Sequence, residues 1–189
     1  MQRLYLIRHA RPSAGWGGSD DDPGLDETGH AQARAASERL LALPPHERPR
    51  RVVSSPLRRC RETAAPFAQA LGVEVEIDPA VGEIPTPAGL AHADRPAWLA
   101  RAMGGRWDAV EGDLDYGRWR TAIVEALRGY AGAAVFSHFV AINGAISTLE
   151  GDERVVVFRP DHASITILDV APDGLVLVER GQEAVTRVA

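Results

Sequence analysis

The sequence contains no lysine, so all 21 of its basic residues are arginine. Every fixed cation available to a binding site is therefore a guanidinium, whose planar fork suits bidentate contact with an oxyanion. A single cysteine, Cys60, excludes an internal disulfide. No apolar run approaches the roughly 20 residues of a membrane-spanning helix, and no signal-peptide pattern opens the chain, so a cytoplasmic protein with no membrane partner is expected. With 26 acidic residues and a net charge of −5, the chain lacks the positive excess of a generic nucleic-acid surface. No nucleic-acid partner is expected either. At 189 residues, 45% hydrophobic and 25% charged, it is long enough for one well-buried domain over 1–189 and short for two.

What is present is an alternation of strands and helices. Leu4 to Ile7 is a short apolar run. After an acidic, glycine-rich loop, Ala33, Ala36, Leu40 and Leu43 recur at helical intervals between Thr28 and Leu43. A second short strand falls at Val52 and Val53. Ser55-Pro56 then reads as an N-cap with proline at the first helical position, opening a helix through Cys60, Ala64, Phe67 and Leu71. Val73 to Ile77 alternates as a half-buried strand. Residues 81–116 lose the pattern and carry Trp98 and Trp107, which predicts a small inserted cap with one or two short helices. A helix from Tyr116 to Leu127, a strand from Ala133 to Ser137 and a helix from Val140 to Leu149 follow. VVVF (155–158) reads as a strand, and SITILDV with LVLVER as a hairpin around Gly174. This order predicts an α/β fold, a three-layer α/β/α sandwich with a largely parallel central sheet.

Three strand ends carry the chemistry: Arg8-His9, Ser54-Ser55 with Arg58 and Arg59 just beyond, and Ser137-His138. If the strands are parallel, these side chains collect on one edge of the sheet. Arginines, histidines and a helix start converging there suit a tetrahedral oxyanion such as phosphate. A neutral imidazole among cations, its pKa lowered by them, is also a competent nucleophile towards phosphorus.

At these positions the chain resembles the histidine phosphatase superfamily, the phosphoglycerate mutase-like family. LIRHARP resembles its RHG signature, LDETGHAQA its L-T-x-x-G-x-x-Q-A segment, and SSPLRRCRETA its S-x-L-x-R-A-x-x-T-A helix start. FSHFVAI matches the strand ending in its second histidine, and HASITIL its C-terminal N-x-S-I strand. The matches keep family order from residue 4 to about 168. The resemblance implies that His9 is the nucleophile that becomes phosphohistidine, that Arg8 and Arg59 hold the phosphoryl oxygens, and that His138 donates to the phosphoryl group in the transition state. It also implies that Glu83, in AVGEIPTP, is the general acid, with a pKa raised by burial or by the phosphate charge. Ala10 replaces the usual glycine, as in the short phosphohistidine phosphatase branch, and Gly15 stands where many members have asparagine. The mutase segment of the type E-R-H-Y-G is missing, which favours the phosphatase branch.

The expected function is therefore a metal-independent phosphomonoester hydrolase without a cofactor, acting on a small phosphorylated metabolite or phosphohistidine. The alternatives are mutase-type phosphoryl transfer and a non-catalytic phospho-ligand binder. Specificity is expected from the loop Ser13 to Gly24 and from Glu83 to Tyr116, while neither the substrate nor the oligomeric state can be read. Asp20, Asp21 and Asp22 read as a solvated turn. His30, His46, His92 and His162 read as surface or capping residues, with His162, next to the C-terminal strand, the best placed to approach the site. Trp98 and Trp107 read as cap packing, and Cys60 as a buried, inert thiol.

Overall fold

The computed structural model describes residues 2–15 and 20–184. The elements run β1 (Gln2–Arg8), α1 (Glu27–Leu41), β2 (Arg51–Ser54), α2 (Arg58–Leu71) and β3 (Val75–Ile77). They continue with α3 (Arg95–Met103), α4 (Tyr116–Arg128), β4 (Ala133–Ser137), α5 (Phe139–Glu150), β5 (Ile165–Ala171) and β6 (Gly174–Glu179). One six-stranded sheet has the order β3-β2-β4-β1-β5-β6. β3, β2, β4 and β1 are mutually parallel, while β5 and β6 join antiparallel.

The pleat sorts the core into two layers. Leu4 and Leu6 of β1 pack with Val53, Val135 and Leu168 against Ile123 and Leu127 of α4 and Ile142 and Ile146 of α5. Tyr5 and Ile7 point the other way, joining Val52 and Phe136 against Leu40 of α1 and Ala64 and Phe67 of α2. The central β4, AAVFS, is buried at every position, as expected of a parallel strand covered on both faces. Helix boundaries also have local causes. The Asp26 carboxylate accepts from Gly29 N at 2.6 Å and starts α1, and Gly72 at φ 67° supplies the left-handed turn that ends α2.

Two local expectations fail. Ser55 does not cap α2, which begins three residues later at Arg58, where Asp22 Oδ1 accepts from the Arg58 N–H at 2.7 Å across the preceding loop. The Ser55 hydroxyl is instead 2.7 Å from His138 Nε2. VVVF is not a strand, because its amides find partners outside the sheet: Val155 N donates to Gly105 O, and Val157 N and Phe158 N both donate to Asn143 Oδ1, at 2.8 and 3.1 Å. Asn143 is fully buried. Replacing it with alanine strands two amides and is expected to cost about 2–4 kcal/mol in a denaturant titration; a loss under about 1 kcal/mol would show that the segment finds other partners.

Between β3 and α4 lie α3 and single 3-10 turns at Pro79–Val81, His92–Asp94 and Trp107–Ala109. Their apolar side chains form a separate cluster of Ile84, Trp98, Leu99, Trp107 and Tyr116, resting on Val140 of α5. Both tryptophans are structural: Trp98 donates to Glu111 O at 2.7 Å and Trp107 to Ser147 Oγ at 2.9 Å. Among the described residues, no helix is long and apolar enough to cross a membrane.

Candidate active site

Strand register assembles the site. Arg8 lies opposite Ser137 and Ser54 opposite Phe136, so β1, β2 and β4 end nearly level. The residues that follow, His9, Ser55 and His138, stand together at the carboxyl edge, the ligand-binding side of a parallel sheet. The His9 and His138 rings are 5.3 Å apart, and the His9 amide donates to Ser137 O at 2.9 Å.

His9 is 6% exposed. Its Nδ1 is 2.8 Å from the Ala10 carbonyl, which can only accept. The proton therefore sits on Nδ1, and Nε2 keeps its lone pair. Burial, reinforced by the Arg59 and Arg8 charges, holds the His9 pKa well below the ordinary histidine value, so the ring is neutral. The turn beneath it is tied to α2, since Ala10 N donates to Thr63 Oγ1 at 2.9 Å and Thr63 donates to Arg59 O. The Ala10 methyl, in place of glycine, packs among Leu25, Ala33, Ala36 and Ala163.

Two guanidiniums flank this imidazole. Arg59, in the first turn of α2, is buried with NH2 3.2 Å from His138 Nδ1. Arg58 is turned out into an ion pair with Glu62. Arg8 donates from NH1 to Pro160 O at 2.8 Å, and its guanidinium lies 5.1 Å from the Phe139 ring centre. Its Nε is buried without a hydrogen-bond partner among the described residues. A buried orphan donor on a cation is an unmet demand for an acceptor. Burial lowers the Arg8 pKa to about 10, so it stays charged at neutral pH.

His138 lies beneath the site and is fully buried. Its Nδ1 faces Arg59 and, at 3.8 Å, Glu83 Oε2, while Nε2 meets Ser55 Oγ and the Cys60 thiol at 3.3 Å. Arg59 can only donate, so without a ligand the His138 proton sits on Nε2, towards Ser55. Burial and the neighbouring His9 lower its pKa. Burial also pushes the Cys60 thiol up, leaving it protonated and unreactive. The Glu83 side chain is 8% exposed, and burial raises its pKa against the opposing pull of its Ile84 amide contact and of Arg59 and Arg8.

Arg8, His9, Ser55, Arg59, Glu83 and Phe139 border one cleft of about 680 Å³, together with Gly15, Asp20, Asp21, His92, Arg95 and His162. Residues 16–19 of the expected specificity loop lie outside the described residues. The aspartates are more than a solvated turn: Asp22 caps α2, and Asp21 pairs with His92 at 2.8 Å and Arg95 at 3.2 Å on the cap side. His162, the histidine best placed to approach the site, is half-buried and faces the cleft. Its ring is 5.8 Å from that of His9 and 3.0 Å from Arg8 NH2. Sequence reasoning missed Ser55 as a partner of His138, because a serine before proline reads equally well as a cap. Among the described residues, no three His, Cys, Asp or Glu side chains converge as a metal site.

Comparison with known proteins gives the family and the fold. The family model of the histidine phosphatase superfamily (branch 1) matches residues 4–183, whereas no curated protein matched the sequence. Among solved structures, the phosphoserine phosphatase of Entamoeba histolytica, in complex with 3-phosphoglyceric acid, aligns with a TM-score of 0.76 at 21% identity, over 98% of each chain. A mycobacterial glucosyl-3-phosphoglycerate phosphatase gives 0.72 at 23% identity, over 97% of this chain and all of the other. At such identities the likeness is one of fold.

Proposed function

The chain belongs to the histidine phosphatase superfamily, branch 1, and from that premise we propose that it is a phosphomonoesterase working by double displacement through His9. The observation that carries this reading is the state of His9: a neutral ring, its proton committed to Ala10 O, with a free Nε2 lone pair between two guanidiniums. In the first half-reaction Nε2 attacks phosphorus, the bond to the leaving oxygen breaks, and Glu83 gives that oxygen its proton. Arg8 and Arg59 hold the phosphoryl oxygens as charge redistributes. In the second half, the Glu83 carboxylate takes a proton from water, the hydroxide attacks phosphorus, the P–N bond breaks, and inorganic phosphate leaves.

His138 enters through its electrostatics. A dianion beside it favours the imidazolium, which donates from Nε2 to Ser55 Oγ; Nδ1 donates to the phosphoryl group once Arg59 NH2, 3.2 Å away without a ligand, turns to a phosphoryl oxygen. The substrate is a small phosphorylated metabolite, consistent with the size of the cleft, and the mechanism uses no metal.

A panel of phosphate esters assayed with EDTA tests the reading. Release of inorganic phosphate that EDTA leaves unchanged is expected. Failure on every ester, or loss with EDTA and recovery with added metal, would refute it. Isomerised phosphoglycerate without free phosphate would make the protein a mutase.

A further inference from the structure

We propose that His162 is a positioning residue of the phosphoryl site: its imidazole accepts a hydrogen bond from Arg8 and fixes the plane in which that guanidinium clamps the phosphoryl group. This rests on the reading of the cleft given above.

The contacts of Arg8 carry the argument. Its two terminal nitrogens each reach one turn of the chain, NH1 donating to Pro160 O at 2.8 Å and NH2 lying 3.0 Å from His162 Nε2. Phe139 covers the guanidinium face. Three constraints thus set the plane, and they leave one hydrogen on each terminal nitrogen for an anion. The turn itself is anchored. Asp161 N donates to Gln182 O, Ala163 N donates to Arg8 O, and Ala163 holds a left-handed φ of 57°, uncommon for a residue with a side chain. An oriented fork is worth more to a phosphoryl group than a free one, because the ordering cost is met before the ligand arrives.

The same contact divides labour between two imidazoles 5.8 Å apart. An arginine nitrogen can only donate, so His162 Nε2 must accept and its proton must sit on Nδ1. Its Nε2 lone pair is engaged by Arg8, whereas that of His9 is free to attack. Burial and the Arg8 charge lower the His162 pKa to about 4, which keeps the ring in the accepting form at neutral pH.

The test pairs His162→Leu, which keeps bulk but cannot accept, with His162→Gln, whose side-chain oxygen reaches the place of Nε2. Inorganic phosphate is titrated calorimetrically into each folded protein, and kcat/KM is measured on an ester from the panel. The leucine variant is expected to bind phosphate about tenfold more weakly and to lose about 10–100-fold in kcat/KM, and glutamine to recover to within about threefold. In the wild type, histidine ¹⁵N shifts should report the Nδ1-protonated tautomer for His162. Unchanged phosphate affinity in the leucine variant, a glutamine variant no better than leucine, or an Nε2-protonated His162 would each overturn the proposal. Wild-type protein that binds no phosphate would sink the reading of the cleft, and this inference with it.

Discussion

His9→Ala is expected to abolish turnover and the covalent intermediate together. Alanine removes the imidazole whose free lone pair lies between Arg8 and Arg59, and loss of a nucleophile typically lowers kcat by on the order of 10⁴–10⁶. The arginine clamp remains, so the variant should still bind inorganic phosphate. Brief incubation of wild type with labelled substrate, followed by quenching, should trap an acid-labile, base-stable phosphoenzyme, as expected of a P–N bond. His9→Ala protein that still carried the label would move the nucleophile elsewhere. The arrangement is held by backbone, since Ala10 O sets the tautomer and Thr63 ties the turn to α2.

Glu83→Gln is expected to have the second largest effect, and one that depends on the leaving group. General acid catalysis is worth about 10²–10⁴-fold where the departing oxygen is basic. An alkyl phosphate should therefore lose most of that factor, and an activated aryl phosphate, which departs without help, little of it. Equal losses on both would point to another acid. The pH dependence has a definite sign. Burial raises the Glu83 pKa, so its proton stays in place above the ordinary carboxyl range and is lost as pH rises through the raised value. Burial lowers the His9 pKa, so the nucleophile stays neutral until pH falls through the lowered value. The phosphorylation step, followed in a single turnover, should thus have an acid limb from His9 and an alkaline limb from Glu83. The glutamine variant should lose only the alkaline limb. Two titratable groups pushed in opposite directions within one site allow the acid and the nucleophile to coexist in their active forms.

Much of this was legible before any coordinates. The unbroken apolar run of β1 and the helical intervals of α1 and α2 report which surfaces are buried, because burial of apolar area dominates folding and leaves its pattern in the chain. The errors have one cause. VVVF is as apolar as a strand, yet the Val157 and Phe158 amides are taken by Asn143, 14 and 15 positions away in sequence, and that of Val155 by Gly105 O, partners that no local pattern encodes. Ser55-Pro56 is a good helix start by local chemistry, but a buried imidazole claims the hydroxyl.

By itself, the sequence determined the layered α/β architecture, the order of its elements and the residue types that meet a phosphoryl group. Hydrophobic period and strand-end chemistry are local properties. Only the tertiary structure decided which nitrogen of each histidine holds the proton, that Ser55 meets His138, and that His162 stands on Arg8. Those outcomes depend on strand register, on burial and on partners from distant segments, and a pKa or a tautomer has no value until those neighbours are in place.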